Sequence, residues 1–161
     1  MKILKLAVLI ACVCLVIGAC GSGSPDLVVT TLETTGAPSV NAENSVEVPI
    51  RVVVKNQGGA AAGMSKVATE YTRSGGTFVV AFTVPGQADI WYPHTSASVA
   101  PGSEETFDGL VTFHPSVHGE TVTLKAVADS CSSDEFMPDY CRVEESNEGN
   151  NESTAISISL P

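Results

Sequence analysis

The stretch Val46-Glu47-Val48-Pro49-Ile50-Arg51-Val52-Val53-Val54-Lys55 decides the fold class. Its valines and isoleucine (Val46, Val48, Ile50, Val52, Val54) recur at every second position, while Glu47, Arg51 and Lys55 occupy the alternate face. Period two is the signature of an extended chain with one face in a core and one in water, whereas a helix repeats every 3.6 residues. Outward from this strand the same spacing returns in Val67/Thr69/Tyr71, Phe78/Val80/Phe82/Val84, Phe107/Val111/Phe113, Val122/Leu124/Ala126/Ala128 and Ile156/Ile158/Leu160, with Leu27 to Leu32 as an opening strand. Gln57-Gly58-Gly59, Ser74-Gly75-Gly76, Pro85-Gly86, Pro101-Gly102 and His118-Gly119 break the runs, as turn chemistry requires. Ala60 to Met64 is the one helix-friendly stretch, and the glycines around it argue for a loop. About seven short strands of this kind predict an all-β, two-sheet antiparallel sandwich.

The chain has 161 residues, enough for one modest core. Residues 1–19 read as an export leader: Lys2 and Lys5 precede an apolar run from Leu6 to Ala19, which is shorter than the roughly 20 residues a membrane-spanning helix needs. The run closes on Ile17-Gly18-Ala19-Cys20, which resembles the bacterial lipobox. That resemblance implies diacylglycerol on the Cys20 thiol, cleavage before it and acylation of the new amino terminus. The alternative is an ordinary secretory leader with an incidental Cys20. Two or three acyl chains anchor a protein stably where one would not. Residues 20–25 then form the lipidated cysteine and a flexible tether, and residues 26–161 the sandwich. The expected location is the cell envelope, with Gly21 rather than Asp after Cys20 favouring the outer over the inner membrane.

Removing Lys2 and Lys5 takes the 8 basic residues to 6 against 18 acidic ones, a formal charge of −12. Such a surface repels phosphate, which argues against nucleic acid as a partner. Of five cysteines, Cys12 and Cys14 leave with the leader and Cys20 carries lipid, so only Cys131 and Cys141 remain. In an exported chain they are expected to form a disulfide, the rival being a metal–thiolate site that would need further ligands.

With the strands placed, the sequence resembles the CARDB family (cell-adhesion-related domain found in bacteria). The resemblance rests on Pro25-Asp26-Leu27-Val28-Val29, on Val52-Val53-Val54-Lys55-Asn56-Gln57-Gly58 running into Ala60-Ala61-Ala62, on Ala100-Pro101-Gly102, on Leu124-Lys125-Ala126-Val127-Ala128-Asp129, and on Glu145-Ser146-Asn147-Glu148-Gly149-Asn150-Asn151, in that order. It implies an immunoglobulin-like sandwich of seven strands that serves as a binding or spacer module, without enzymatic activity. Ser130 to Glu144 departs from the family's short connection by inserting the cysteine-closed ring.

Two segments exceed a minimal sandwich, and long loops are often functional. Asp129 to Glu152 carries eight acids against Arg142 alone, and Gln87 to Val99 holds the single tryptophan. Strand order brings Asp26, Asn56, Asp129 and the Glu145–Asn151 loop to one end. Asp26, Asp129, Glu145, Asn147 and Asn150 are therefore candidate calcium ligands, since calcium takes 6–8 oxygens. Equally, Asn and Asp cap turns with their own side chains. Trp91 and Tyr92 are candidate contacts for a protein or glycan partner, against the plainer expectation that a lone Trp covers a small core. His114 and His118 lie in a turn with His94 remote, a weak pattern for a transition metal. No nucleophile motif supports catalysis. The sequence thus points to a lipid-anchored, non-enzymatic binding module, or else to a structural subunit of an envelope assembly.

Overall fold

The computed structural model describes residues 23–131 and 141–161. Among them the chain forms strands β1 (Leu27–Thr34), β2 (Ser39–Val40), β3 (Val46–Asn56), β4 (Ala62–Gly63), β5 (Ala68–Arg73), β6 (Gly76–Thr83), β7 (Ser98–Val99), β8 (Glu104–Phe113), β9 (Thr121–Val127) and β10 (Ile156–Ser159), with one 3₁₀ turn at Pro115–Val117. The expected strands are all present, and β2, β4 and β7 are two-residue additions. Every pairing is antiparallel, in the order β1-β3-β8-β6-β5-β9-β10. Two layers share this path because β6 changes partner along its length. Gly76 to Val80 pair with β5, and Ala81 to Thr83 pair with β8.

β3 is the spine. Its burial alternates without a break, and Val46, Val48, Ile50, Val52 and Val54 are fully buried. It pairs with β8 from Val46↔Phe113 to Lys55↔Glu104, and with β1 from Leu27↔Asn56 to Thr34↔Ile50. Pro49 survives inside this strand because its carbonyl, which accepts from Thr35 N–H at 2.9 Å, faces the β1 side just where β1 ends. The missing N–H of proline faces the same way, so only the return bond to Thr35 is forgone and the ladder to β8 stays intact. Facing layers contribute Phe82, Phe107, Phe113, Val122, Leu124 and Ile158 to one continuous core. Tyr71 closes the core edge-on to Phe113, with ring centroids 5.2 Å apart. Phe78 departs from the inward face expected of it and is 40% exposed, because it lies near the start of β6 and stacks on Tyr71 and under Arg73 instead.

The inward row of β8 runs Phe107, Gly109, Val111, Phe113, and the glycine is where an apolar residue would be expected. A Cβ at Gly109 would land on the Thr83 carbonyl oxygen and within 2.9 Å of Phe82 Cε2. That space is filled where β6 crosses onto β8. Gly109→Ala is therefore expected to lower stability by about 1–3 kcal/mol through overpacking, read as a lower melting temperature by circular dichroism. An unchanged melt would mean the crossing is looser than described.

Candidate functional site

The chain enters the sandwich at the end where β3 and β9 finish and β5 and β8 begin, called here the tether end. Asn56 continues the buried row of β3 and is fully buried although polar. Its amide makes four hydrogen bonds. Oδ1 accepts from Asp26 N–H (3.2 Å) and Gly58 N–H (3.0 Å), and Nδ2 donates to the carbonyls of Ala60 and Val99 (2.8 Å each). Ser24 and Pro25 are held through their carbonyls by Gly59 N–H (3.0 Å) and Ser146 N–H (2.8 Å).

Three carboxylates converge on this end. Asp129, two residues past β9, takes a left-handed backbone (φ 44°), a conformation Asp tolerates better than most residues. Its carboxylate accepts from Val143 N–H (2.9 Å) and Arg142 N–H (3.1 Å), which folds the loop back on itself. Glu145 is buried; one oxygen accepts from Leu27 N–H and the other from Asn151 Nδ2 at 3.0 Å. Glu148 accepts from Glu145 N–H at 2.8 Å. Oxygen atoms of Asp129, Glu145 and Glu148 all lie within 4.8 Å of one another. Burial pushes Glu145 up to about 7, the Leu27 N–H opposing and the charges of Asp129 and Glu148 reinforcing. Burial also raises Asp129 above the ordinary carboxylate range, against the pull of its two N–H donors.

Three carboxylates this close form a group that could hold a metal ion. Oxygens sharing one calcium at 2.3–2.6 Å stand no more than about 5 Å apart. The donors are all oxygen, with neither thiolate nor imidazole, which suits calcium or magnesium rather than zinc. Two amide oxygens, Asn150 Oδ1 and Asn151 Oδ1, are buried without a hydrogen-bond partner. Asn151 is only 8% exposed, and its amide leans on the Glu145 carboxylate. An unpaired buried carbonyl oxygen is costly unless something electropositive faces it.

Of the expected ligands, Asp129 and Glu145 sit in the cluster. Asp26 and Asn150 bond each other beside it (2.9 Å), with Gln57 Nε2 also donating to Asp26 (3.1 Å). Asn147 turns its oxygen to Gly149 N–H (3.1 Å), a turn-capping role. Glu148 and Asn151 join the cluster from outside that expected set. The signal was the Glu145-x-x-Glu148 spacing, which lets one side chain reach back to a backbone N–H three residues earlier. Cys131 and Cys141 form a disulfide with Cα atoms 4.8 Å apart. Cys20 and the leader lie outside the described residues, as do residues 132–140.

Trp91 does not plug the core; it is 47% exposed, beside a shallow depression lined by Tyr71, Val79, Ala81 and Phe113. Tyr92 is half-buried, with Lys66 Nζ 5.6 Å from its ring centroid. The histidines serve local structure: His114 Nδ1 accepts from Ser116 N–H (3.1 Å), and the His118 ring lies between the carbonyls of Pro161 (3.1 Å) and Asn44 (2.8 Å).

The carboxylate cluster gives a pH dependence of definite sign. Without divalent cations, folded Glu145 holds its proton more tightly than the unfolded chain does. Its stabilisation is complete below the ordinary glutamate range and is lost as pH rises through about 7. At about 1.4 kcal/mol per pH unit the loss is at most about 3 kcal/mol, and Asp129 adds to it in the same direction. Melts in a chelator from pH 4.5 to 8 are expected to show Glu145→Gln gaining on the parent as pH rises. Parallel curves would remove Glu145 as the cause.

The CARDB family model matches residues 24–155. No curated protein matches the chain. Among solved structures, the CARDB domain of a Pyrococcus furiosus protein, crystallised in complex with di-metal ions, superposes with a TM-score of 0.50 at 20% sequence identity, covering 86% of this chain and 90% of that one. At that identity the likeness speaks for the fold alone. The family model spans nearly all the described residues, including β3 and the acidic end, and the chain belongs to the CARDB family.

Proposed function

We propose that this chain is a lipid-anchored protein of the bacterial envelope whose sandwich is a non-enzymatic binding and adhesion module, braced by calcium where it meets its tether. The family is one of immunoglobulin-like, non-catalytic domains, which supports a binding role. The observation that carries the reading is the tether end itself. The same loop that carries Glu145 and Glu148 also holds Pro25 and Leu27 through their backbones. A cation drawing these carboxylates together would stiffen the base on which the module stands. The Pyrococcus domain with its di-metal ions is consistent with cation binding in the fold.

The partner is a protein or glycan of the envelope or cell exterior; the acidic surface disfavours nucleic acid. The membrane is reached through lipid on Cys20, and Gly21 favours the outer membrane. The second reading, a structural subunit, has one observation in its favour. β1 and β10 are the free edges of the sheet path, and a slot between them is lined by Val29, Leu32 and Ile156. Exchanging residues 132–140 for a short linker separates the two, since loss of partner capture supports a binding surface and retained assembly supports edge pairing.

Two measurements test the main proposal. Millimolar calcium at pH 8 is expected to raise the melting temperature over chelator, by an amount equivalent to about 2–3 kcal/mol at a hundredfold excess over the dissociation constant. Asp129→Asn should abolish the rise. No shift in the parent would end the calcium assignment. Separately, Cys20→Ser should move the protein from the detergent phase to the aqueous phase on cloud-point partitioning; a serine variant that stays with detergent would sink the lipid anchor.

A further inference from the structure

We propose that the depression beside Trp91 is a subsite for one neutral sugar ring of a glycan. The inference deepens the binding-module reading and rests on it, naming the class of partner and the place where it is held. The site lies at the end of the sandwich opposite the tether. Val46 and Phe113 pair there, whereas Lys55 and Glu104 pair at the tether end. The ten residues of β8 put about 30 Å between the two ends.

The depression has its origin in the division of β6 between two partners. Ala81↔Thr112 is the last pair of β6 with β8 before β6 turns to β5. The split this leaves is lined by Trp91, Ser45, Thr112 and His114, with the buried rings of Tyr71 and Phe113 beneath. As register partners, Ala81 and Thr112 present their side chains on one face of the sheet. Trp91 is held beside them by a closed loop. The Gln87 side chain accepts from His94 N–H (2.7 Å) and donates to His94 O (3.0 Å), shutting the loop at its base. Within it the Asp89 carboxylate accepts from Trp91 N–H (2.8 Å) and Tyr92 N–H (3.0 Å). An aromatic ring displayed from so fixed a backbone costs little further ordering when a ligand arrives.

The chemistry of the lining selects the occupant. Among the described residues no lysine, arginine, aspartate or glutamate lines the depression, so it offers no counter-charge to an ionic group. It does offer polar atoms in want of partners. Tyr71 is only 7% exposed, and its contacts are the rings of Phe78 and Phe113; no described residue bonds its hydroxyl. Ser45 spends its N–H on Asn41 and His114 its Nδ1 on Ser116 N–H, which leaves Ser45 Oγ, Thr112 Oγ1 and His114 Nε2 open. An apolar side chain seated here would strip water from these groups and return nothing. A sugar ring answers both features at once. Its C–H face stacks on the electron-rich face of the indole, and its hydroxyls donate and accept at the rim. The volume of about 290 Å³ is at the lower limit of ligand pockets, which suits one ring of a longer chain. The formal charge of −10 disfavours uronic and sialic acids, so the ring is neutral.

Trp91 is the single tryptophan and reports on its own surroundings. The full chain, in a zwitterionic detergent that carries no sugar, is titrated with cellotetraose, maltotetraose and mannotetraose, and with tetragalacturonate as the charged counterpart. Trp91 emission, its quenching by iodide and saturation-transfer NMR of the sugar are recorded together. At least one neutral tetrasaccharide is expected to shift the emission and protect Trp91 from iodide, and tetragalacturonate to do neither. Thr112→Val, which removes a hydroxyl at nearly constant volume, should weaken that sugar about three- to tenfold. Trp91→Ala, at an exposed position, should weaken it about tenfold or more in the NMR measurement while leaving the melt unchanged. Three results overturn the inference: silence of every neutral sugar up to about 20 mM, binding that survives Trp91→Ala, or a preference for tetragalacturonate. Crosslinking in intact cells separates this failure from that of the wider reading. Envelope contacts that persist in Trp91→Ala keep a binding module with its partner elsewhere, and a parent chain that crosslinks to nothing removes the module itself.

Discussion

The side chain of Asn56 organises the tether end. A primary amide buried in a protein interior is costly unless all of its donors and acceptors are met. Here both hydrogens and two oxygen contacts are used, on four separate backbone positions. The amide lies at the last residue of the longest strand, so whatever it grips inherits that strand's rigidity. It grips the residue before β1, the turn at Gly58 to Ala60, and the end of β7. Gly58 is tightened further, since a Cβ there would sit 2.5 Å from the backbone of Ser24, Pro25 and Asp26. The incoming chain is pressed flat against the 57–60 turn with no room for a side chain between them.

From that hub the placement of the carboxylates follows. Fixing Asp26 and Leu27 fixes the N–H that Glu145 accepts, and the Glu145 backbone N–H in turn points at Glu148. Asp129 arrives from the opposite layer at the end of β9. Two opposing effects meet on Glu145. Burial and two neighbouring acids favour the protonated form, while the Leu27 N–H favours the charged one, and the first group wins. An arrangement that disfavours its own ionised state, beside an amide oxygen with no donor, is most readily satisfied by a positive charge set among the oxygens.

The sequence disclosed much of this in proportion to how local the physics is. Period-two alternation marks strands because side-chain direction depends only on the neighbouring peptide units. In the structure the same alternation runs one residue past the expected strand, to Asn56, which occupies the next buried position after Val46 to Val54. The gathering of Asp26, Asn56, Asp129 and the 145–151 loop followed from strand order alone. What alternation does not carry is how a strand divides its partners. β6 serves both layers, so Phe78 falls outside the shared core although its spacing matches Val80 and Phe82. Trp91 is another such case. Hydrophobicity argues for burial, but the Asp89 carboxylate, through bonds to two backbone N–H groups, fixes a turn that holds the ring outward. Glu148's place in the cluster is not legible in the sequence, because exposure and proximity to other acids are properties of the folded loop.

The disulfide has a place in the same scheme. Cys131 lies two residues after Asp129, and Cys141 two residues before Val143. The bond therefore ties together the two chain segments that the Asp129 carboxylate bridges through Arg142 and Val143 N–H. Closing so short a ring removes roughly 2–3 kcal/mol of unfolded-state freedom on the chain-entropy account. That gain falls where long insertions are otherwise loosening, since the ordering cost of a loop grows with its length. Asp129 is thus held from both sides of the ring, by its own chain and by the segment after Cys141. The carboxylate two residues before the bond stands beside Glu145. The covalent link and the Asp129 carboxylate thus close the same two segments side by side, next to the acidic base at the tether.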